Sequence, residues 1–147
     1  SSHAVRRAML AQDKIIRKIA EEGSCVIVGR AADHVLRDFP NVVKVFIGAP
    51  EEFRISRVRE VYGDTLQEAK RNLRHSDKAR AGYYRHLSGK RWGDPQNYDL
   101  VLDSSDGLEA AAETLAAFVK ERERALFPQA DTPQREQAGA AEAQTQQ

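Results

Sequence analysis

The chain is short of the residues that build cross-linked or membrane-spanning proteins. Cys25 is its only cysteine among 147 residues, so no internal disulfide can form, and a reducing, cytoplasmic setting is expected. No apolar run approaches the ~20 residues that cross a bilayer, and Ser1-Ser2-His3 leads into a charged segment, not an apolar leader. The start also lacks methionine, which points to a cut or a vector-derived N-terminus. An excess of one charge is missing too. The 23 Lys and Arg nearly balance 22 Asp and Glu, and a net +1 creates no field that demands nucleic acid or an anionic membrane. His3, His34, His75 and His86 show no metal-ligand spacing with Cys25 or with one another.

What is present is ordinary for one soluble globular domain: 41% hydrophobic and 31% charged residues. The domain is expected over residues 1–127. From Pro128 to 147 the chain is mostly Gln, Ala, Thr and Pro, the composition of a disordered tail. Helical spacing of Val5, Met9, Ile15, Ile16 and Ile19 predicts a first helix, ended by a left-handed Gly23. Cys25–Val28 and Val42–Ile47 are short, continuously apolar runs and predict parallel strands buried on both faces. Between them Ala31 to Asp38 can form a short helix that Phe39-Pro40 stops.

Pro50 with Glu51 and Glu52 opens a helix that runs to Tyr62 and ends at Gly63. Thr65 and Glu68 form a capping box ahead of a long helix to Leu87. Gly89 to Asn97 is a loop, Tyr98 to Leu102 a third strand, and Ser105, Asp106 and Glu109 open a last helix. Alternating strands and helices predict an α/β fold: a parallel sheet with flanking helices and any ligand at the strands' carboxyl ends.

Five groups of residues could carry chemistry. Gly29-Arg30 follows the first strand; the glycine permits close approach and the guanidinium fork suits a phosphate, although a plain surface arginine looks the same. Asp77 and Arg80 fall on the apolar stripe Leu66, Ala69, Leu73, Tyr84 and Leu87 of the long helix. Opposite charges facing inward at that spacing are either a structural ion pair or part of a ligand site. Arg54 and Arg57 share one face of the helix after Pro50, the position either of a solvated face or of a phosphate clamp. Trp92, between cations and a tight turn, either stacks a base or anchors its loop, and Asp103-Ser104-Ser105 suits a cap at a strand end.

Four stretches carry a family resemblance: SCVIVGRAADHVL from Ser24, KVFIGAPEEFRISRV from Lys44, DKARAGYY from Asp77 and GKRWGDPQNYDLVLDSS from Gly89. Together, from about Met9 to Phe118, they resemble the cytidylate-kinase-like family of P-loop nucleotide kinases. The resemblance implies a P-loop NTPase-like fold of nucleoside-monophosphate-kinase type. It also implies transfer of the γ-phosphoryl of MgATP to a nucleoside monophosphate or similar acceptor. On that pattern Gly29 and Arg30 hold the acceptor's phosphate, Asp77 its ribose hydroxyls and Arg80 its phosphates. Arg54 and Arg57 clamp the transferring phosphates, and the loop at Asp103 runs beneath the adenine of ATP. Catalysis would fall to Arg57 and Arg80.

The sequence departs from that pattern at three places. Val28 and Ala31 replace the acids that flank the Gly-Arg pair in cytidylate kinases, so cytosine reading is not implied. Leu73 stands where a second arginine is expected. No G-x-x-x-x-G-K-[ST] loop occurs, so the triphosphate's cradle and the strand before it are missing. The expected explanation is a part of a longer kinase. The alternatives are direct pairing of the two strands left beside the gap, or a missing N-terminal segment or second chain that completes the sheet. The competing function is a degenerate, non-catalytic module of the same fold that senses a nucleotide or binds a partner.

Overall fold

The computed structural model describes residues 2–128, in two compact units, the first running to Ala111 and the second beginning at Ala112. The tail expected from Pro128 onward lies, Pro128 apart, outside the described residues. In the first unit, α1 (Ser2–Glu22) packs on α2 (Ala32–Val35). Ile16 of α1 meets Ala32, Val35 and Leu36, with Ala20, Ile27, Phe39 and Val42 around them. This cluster carries the amphipathic pattern of α1 into a core. Gly23 follows α1 at φ 159°, away from the left-handed well expected of it.

One expected strand does not form. Cys25 to Val28 belongs to no sheet, and Val26 and Val28 are 92% and 87% exposed. A continuous apolar run becomes a buried strand only where neighbouring backbones supply its hydrogen bonds, and none of the described strands pairs with it. The sheet is two-stranded: β1 (Val45–Gly48) pairs in parallel with β2 (Leu100–Asp103), Val45 opposite Leu100 and Gly48 opposite Asp103. The possibility that Cys25–Val28 closes up on the next strand is therefore not realised. Lys44 fixes the register at the open end, where its N–H donates to Asp99 Oδ2 (2.8 Å) and its carbonyl accepts the N–H of Asp99 (2.8 Å).

The two following helices keep their sequence-drawn limits to within one residue, the second ending at Ser88 instead of Leu87. α3 (Glu51–Tyr62) begins after Pro50 and ends at Gly63, whose left-handed φ of 71° lets its N–H reach the carbonyl of Arg59. α4 (Leu66–Ser88) opens with the capping box: Thr65 Oγ1 accepts the Glu68 N–H (3.2 Å) and Glu68 Oε2 accepts the Thr65 N–H (2.8 Å). α3 packs against α4, burying Ala69 completely.

The loop after α4 is pinned by aromatics. Trp92 meets Phe46 of β1 edge-on at 5.4 Å, Tyr98 lies 5.1 Å from the same ring, and Tyr84 of α4 stacks on Tyr98 at 6.5 Å. Such pairs add about 0.5–1.5 kcal/mol each beyond their buried area. Trp92 thus anchors its loop to the sheet. A last helix, α5 (Leu108–Leu126), begins after Gly107.

Candidate functional site

The carboxyl ends of β1 and β2 open onto a groove of about 350 Å³ walled by α3 and α4. Gly48 and Ser104 form its floor, Arg54 and Arg57 bring two guanidinium groups, and Tyr62 and Leu73 give it apolar walls. Ligands of open parallel sheets bind at this edge because the strands end there and loops diverge. Gly48 and Ser104 are joined across the floor, since the Ser104 N–H donates to the Gly48 carbonyl at 2.9 Å.

Arg54 is already partnered. Its Nη1 and Nη2 donate to the two oxygens of Asp77 at 2.8 and 2.7 Å, a fork-on-carboxylate pair between α3 and α4. Both side chains are about 30% exposed, and the hydrogen bonds to Asp77 raise the Arg54 pKa above its ordinary value. Arg80, one turn beyond Asp77, comes no closer than 3.9 Å to Oδ1 and keeps 63% of its side chain exposed. The sequence suggested an Asp77–Arg80 pair along one helix. The structure makes Arg54 the main partner and Arg80 a secondary one, because the shorter, paired hydrogen bonds run across the helix–helix seam.

Gly29, Arg30 and Ala31 are left-handed in succession, at φ 72°, 58° and 52°. For the two non-glycine residues that conformation costs roughly 1–2 kcal/mol each. The turn is held by the Ala32 N–H on the Gly29 carbonyl (3.2 Å), by the Val35 N–H on the Ala31 carbonyl (3.0 Å), and by burial of the Ala31 methyl. Arg30 is exposed at its apex.

The next residues tie this turn to α4. Tyr84, only 4% exposed, donates its hydroxyl to Asp33 Oδ2 at 2.7 Å. Burial first, and the Asp33 carboxylate second, push the Tyr84 hydroxyl far above its usual range. Beside it, desolvation and then Arg37 lower His34. Tyr83 donates to Gln12 Oε1 at 2.7 Å and fastens α1 to the same helix.

The expected site residues therefore fall into groups. Arg54, Asp77 and Arg80 form one cluster, and Arg57 shares the groove with Arg54. Among the described residues no hydrogen bond or ion pair joins Arg30 to Asp77 or Arg80; the link from this part of the chain to α4 is the Tyr84 hydroxyl on Asp33. Asp103, at the end of β2, closes a turn by accepting the Ser105 N–H at 2.8 Å, and the Ser105 hydroxyl and amide hold its carboxyl below the usual range. Sequence reasoning passed over Asp33. The signal was available in the polar tip of Tyr84, which a buried helix stripe cannot leave without an acceptor.

A strand-edge groove with two arginines, a carboxylate on a helix–helix seam and a left-handed Gly-Arg turn mark the first unit of this α/β protein. Comparison with known proteins gives the family. The model of the cytidylate kinase-like family matches residues 2–106, and the chain belongs to that family. It is 34% identical over 101 residues to a cytidylate kinase of Methanopyrus kandleri, a match that takes in 63% of this chain and 52% of that protein. The chain thus spans about half the length of that curated relative. A crystal structure of an uncharacterized protein from Eubacterium ventriosum superposes with a TM-score of 0.73 at 29% identity, over 80% of this chain and 67% of that one.

The family supports a nucleotide-kinase-like function and implies use of ATP and magnesium. Of the groove's two guanidinium groups, that of Arg54 is held by Asp77, and that of Arg57, exposed, suits phosphate oxygens. Magnesium in such sites is held by one or two carboxylates together with substrate phosphates and water; among the described residues no group of three or more His, Cys, Asp or Glu side chains is gathered that could hold a metal ion by itself. The sequence carries no G-x-x-x-x-G-K-[ST] loop to cradle a triphosphate, so the residues present do not fit MgATP as a whole. No helix among the described residues is long and apolar enough to cross a membrane.

Proposed function

We propose that this chain is the acceptor-binding part of a P-loop-type nucleotide kinase that phosphorylates a nucleoside monophosphate or similar acceptor. Arg30, with the flexible approach given by Gly29, takes the acceptor's phosphate; Asp77 takes its sugar hydroxyls; Arg80 adds a second guanidinium to the phosphate. Arg57 faces the transferring group from the groove, and the turn at Asp103 lies at the same strand edge, toward the donor's base. The reaction class asks for little covalent help from protein. It is accelerated by alignment of acceptor and donor and by neutralising charge on the equatorial oxygens, which fixed arginines do.

The observation that carries this reading is the Arg54–Asp77–Arg80 cluster beside a groove containing Arg57, at the carboxyl end of parallel strands. The test is a calorimetric titration with CMP, UMP, AMP and dCMP. Saturable heat with at least one is expected, and an absence of heat with all four refutes the reading. A second reading, a non-catalytic nucleotide-sensing or partner-binding module, is favoured by Val28 and Ala31, which present no carboxylate beside Arg30. Acceptor binding without phosphoryl transfer from MgATP, in the longest polypeptide that carries this chain, decides for it.

A further inference from the structure

Arg54 lines the groove beside Arg57, and the simplest expectation gives both the same job on phosphates. Their surroundings differ. Arg57 is exposed on α3, and no hydrogen bond or ion pair engages it among the described residues. The whole Arg54 fork is spent on the two oxygens of Asp77. A guanidinium so engaged has its strongest donors committed before any ligand arrives.

We infer that Arg54 is the positioning residue for Asp77 and that, through Asp77, it sets selectivity for a vicinal diol. The inference rests on the acceptor-site reading proposed above and deepens it.

An ionised carboxylate offers about four lone-pair sites, two on each oxygen. The fork takes one on each, at 2.8 and 2.7 Å, and in doing so fixes the plane of the carboxylate. One site per oxygen is left over. Arg80, at 3.9 Å, is beyond hydrogen-bonding reach and does not consume them. Asp77 keeps 31% of its side chain exposed, so a ligand can reach the remaining sites. Two fixed acceptors on one carboxylate match the two adjacent hydroxyls of a ribose. A 2′-deoxyribose can fill only one of them and leaves the other oxygen unpaired, which is the arrangement that yields discrimination against a missing hydroxyl. A lysine at position 54 keeps the charge but, as a point donor on a flexible stem, loses the fork and with it the fixed plane.

The test compares ligand pairs so that general weakening cancels. Affinities of CMP and dCMP, and of AMP and dAMP, are measured by calorimetry for the full chain and for Arg54→Lys, Asp77→Asn and the double variant. Inorganic pyrophosphate serves as the phosphate probe, and thermal unfolding of each variant controls for folding. The unaltered chain is expected to prefer the ribonucleotide about tenfold, the equivalent of one hydrogen bond.

Arg54→Lys brings that ratio to within about twofold of unity and leaves pyrophosphate binding within twofold. Asp77→Asn has the same effect on the ratio, and the double variant adds nothing further. A ratio that Arg54→Lys leaves unchanged while the ribonucleotide still binds overturns this inference alone. So does a ribonucleotide that binds more tightly once the fork is lost, since Arg54 would then be masking Asp77. Failure of the unaltered chain to bind any nucleotide overturns the acceptor-site reading and this inference with it.

Discussion

Removal of one oxygen atom at Tyr84 should report on both stability and site geometry. In Tyr84→Phe the ring keeps its place against Tyr98, so no sizeable cavity forms; the 2.7 Å hydrogen bond to Asp33 is lost, together with the hydroxyl's weaker interaction with Tyr98. Hydrogen bonds to charged groups contribute about 1.5–3 kcal/mol, and Asp33, half-buried, can recover part of the loss from water. The expected cost at neutral pH is therefore about 1.5 kcal/mol, or roughly 6 °C in the melting midpoint for a unit of this size.

The pH dependence gives a second signature. Because the folded-state pKa of Tyr84 is raised above the unfolded value near 10, its contribution is fully present below about pH 10 and is lost as pH rises beyond it. The phenylalanine variant has no such loss, so its deficit should narrow between about pH 10 and pH 11.5. Urea unfolding followed by the fluorescence of Trp92, which rests edge-on against Phe46, measures this difference directly. A deficit below about 0.5 kcal/mol at pH 7, or one that stays constant through the alkaline range, would refute the assignment of Tyr84 as the pin between the Gly29–Ala31 turn and α4.

Two further outcomes test other parts of the structure. The double substitution of Val26 and Val28 by serine should cost less than about 0.5 kcal/mol in urea unfolding, because both side chains lie almost wholly in solvent; a loss above about 2 kcal/mol would place them in a packed strand. Gly93→Ala should destabilise by about 1–3 kcal/mol: its φ is 80°, and an added methyl carbon would stand 3.2 Å from Cζ of Phe46, a ring held between Trp92 and Tyr98. A neutral result in thermal unfolding would mean that the Phe46 ring is free to give way.

Local chemistry was legible in the sequence wherever a short stretch decides its own conformation. Pro50 with two acids, Gly63, and the Thr65–Glu68 box each satisfy or end a helix with atoms only a few residues away, and α3 and α4 obey them. The four quoted stretches likewise identified the family, since those side chains are strung together in order along one chain. The fate of Cys25–Val28 could not be read in the same way. An apolar run states a preference for burial but does not supply the neighbouring strand that fulfils it, and in this structure β1 pairs only with β2.

The partner of Asp77 was hidden for a related reason. Helical spacing brought Arg80 within reach on the same helix, while Arg54 lies 23 residues away along the chain. Only the packing of α3 on α4 sets its fork opposite the carboxylate, where two short hydrogen bonds outweigh one distant charge. Sequence alone determined the limits of α3, the capped start of α4, the family and the inventory of charged groups. Tertiary structure decided which of those charges face each other, because electrostatic partners are chosen by distance in space, and that distance is fixed by helix packing.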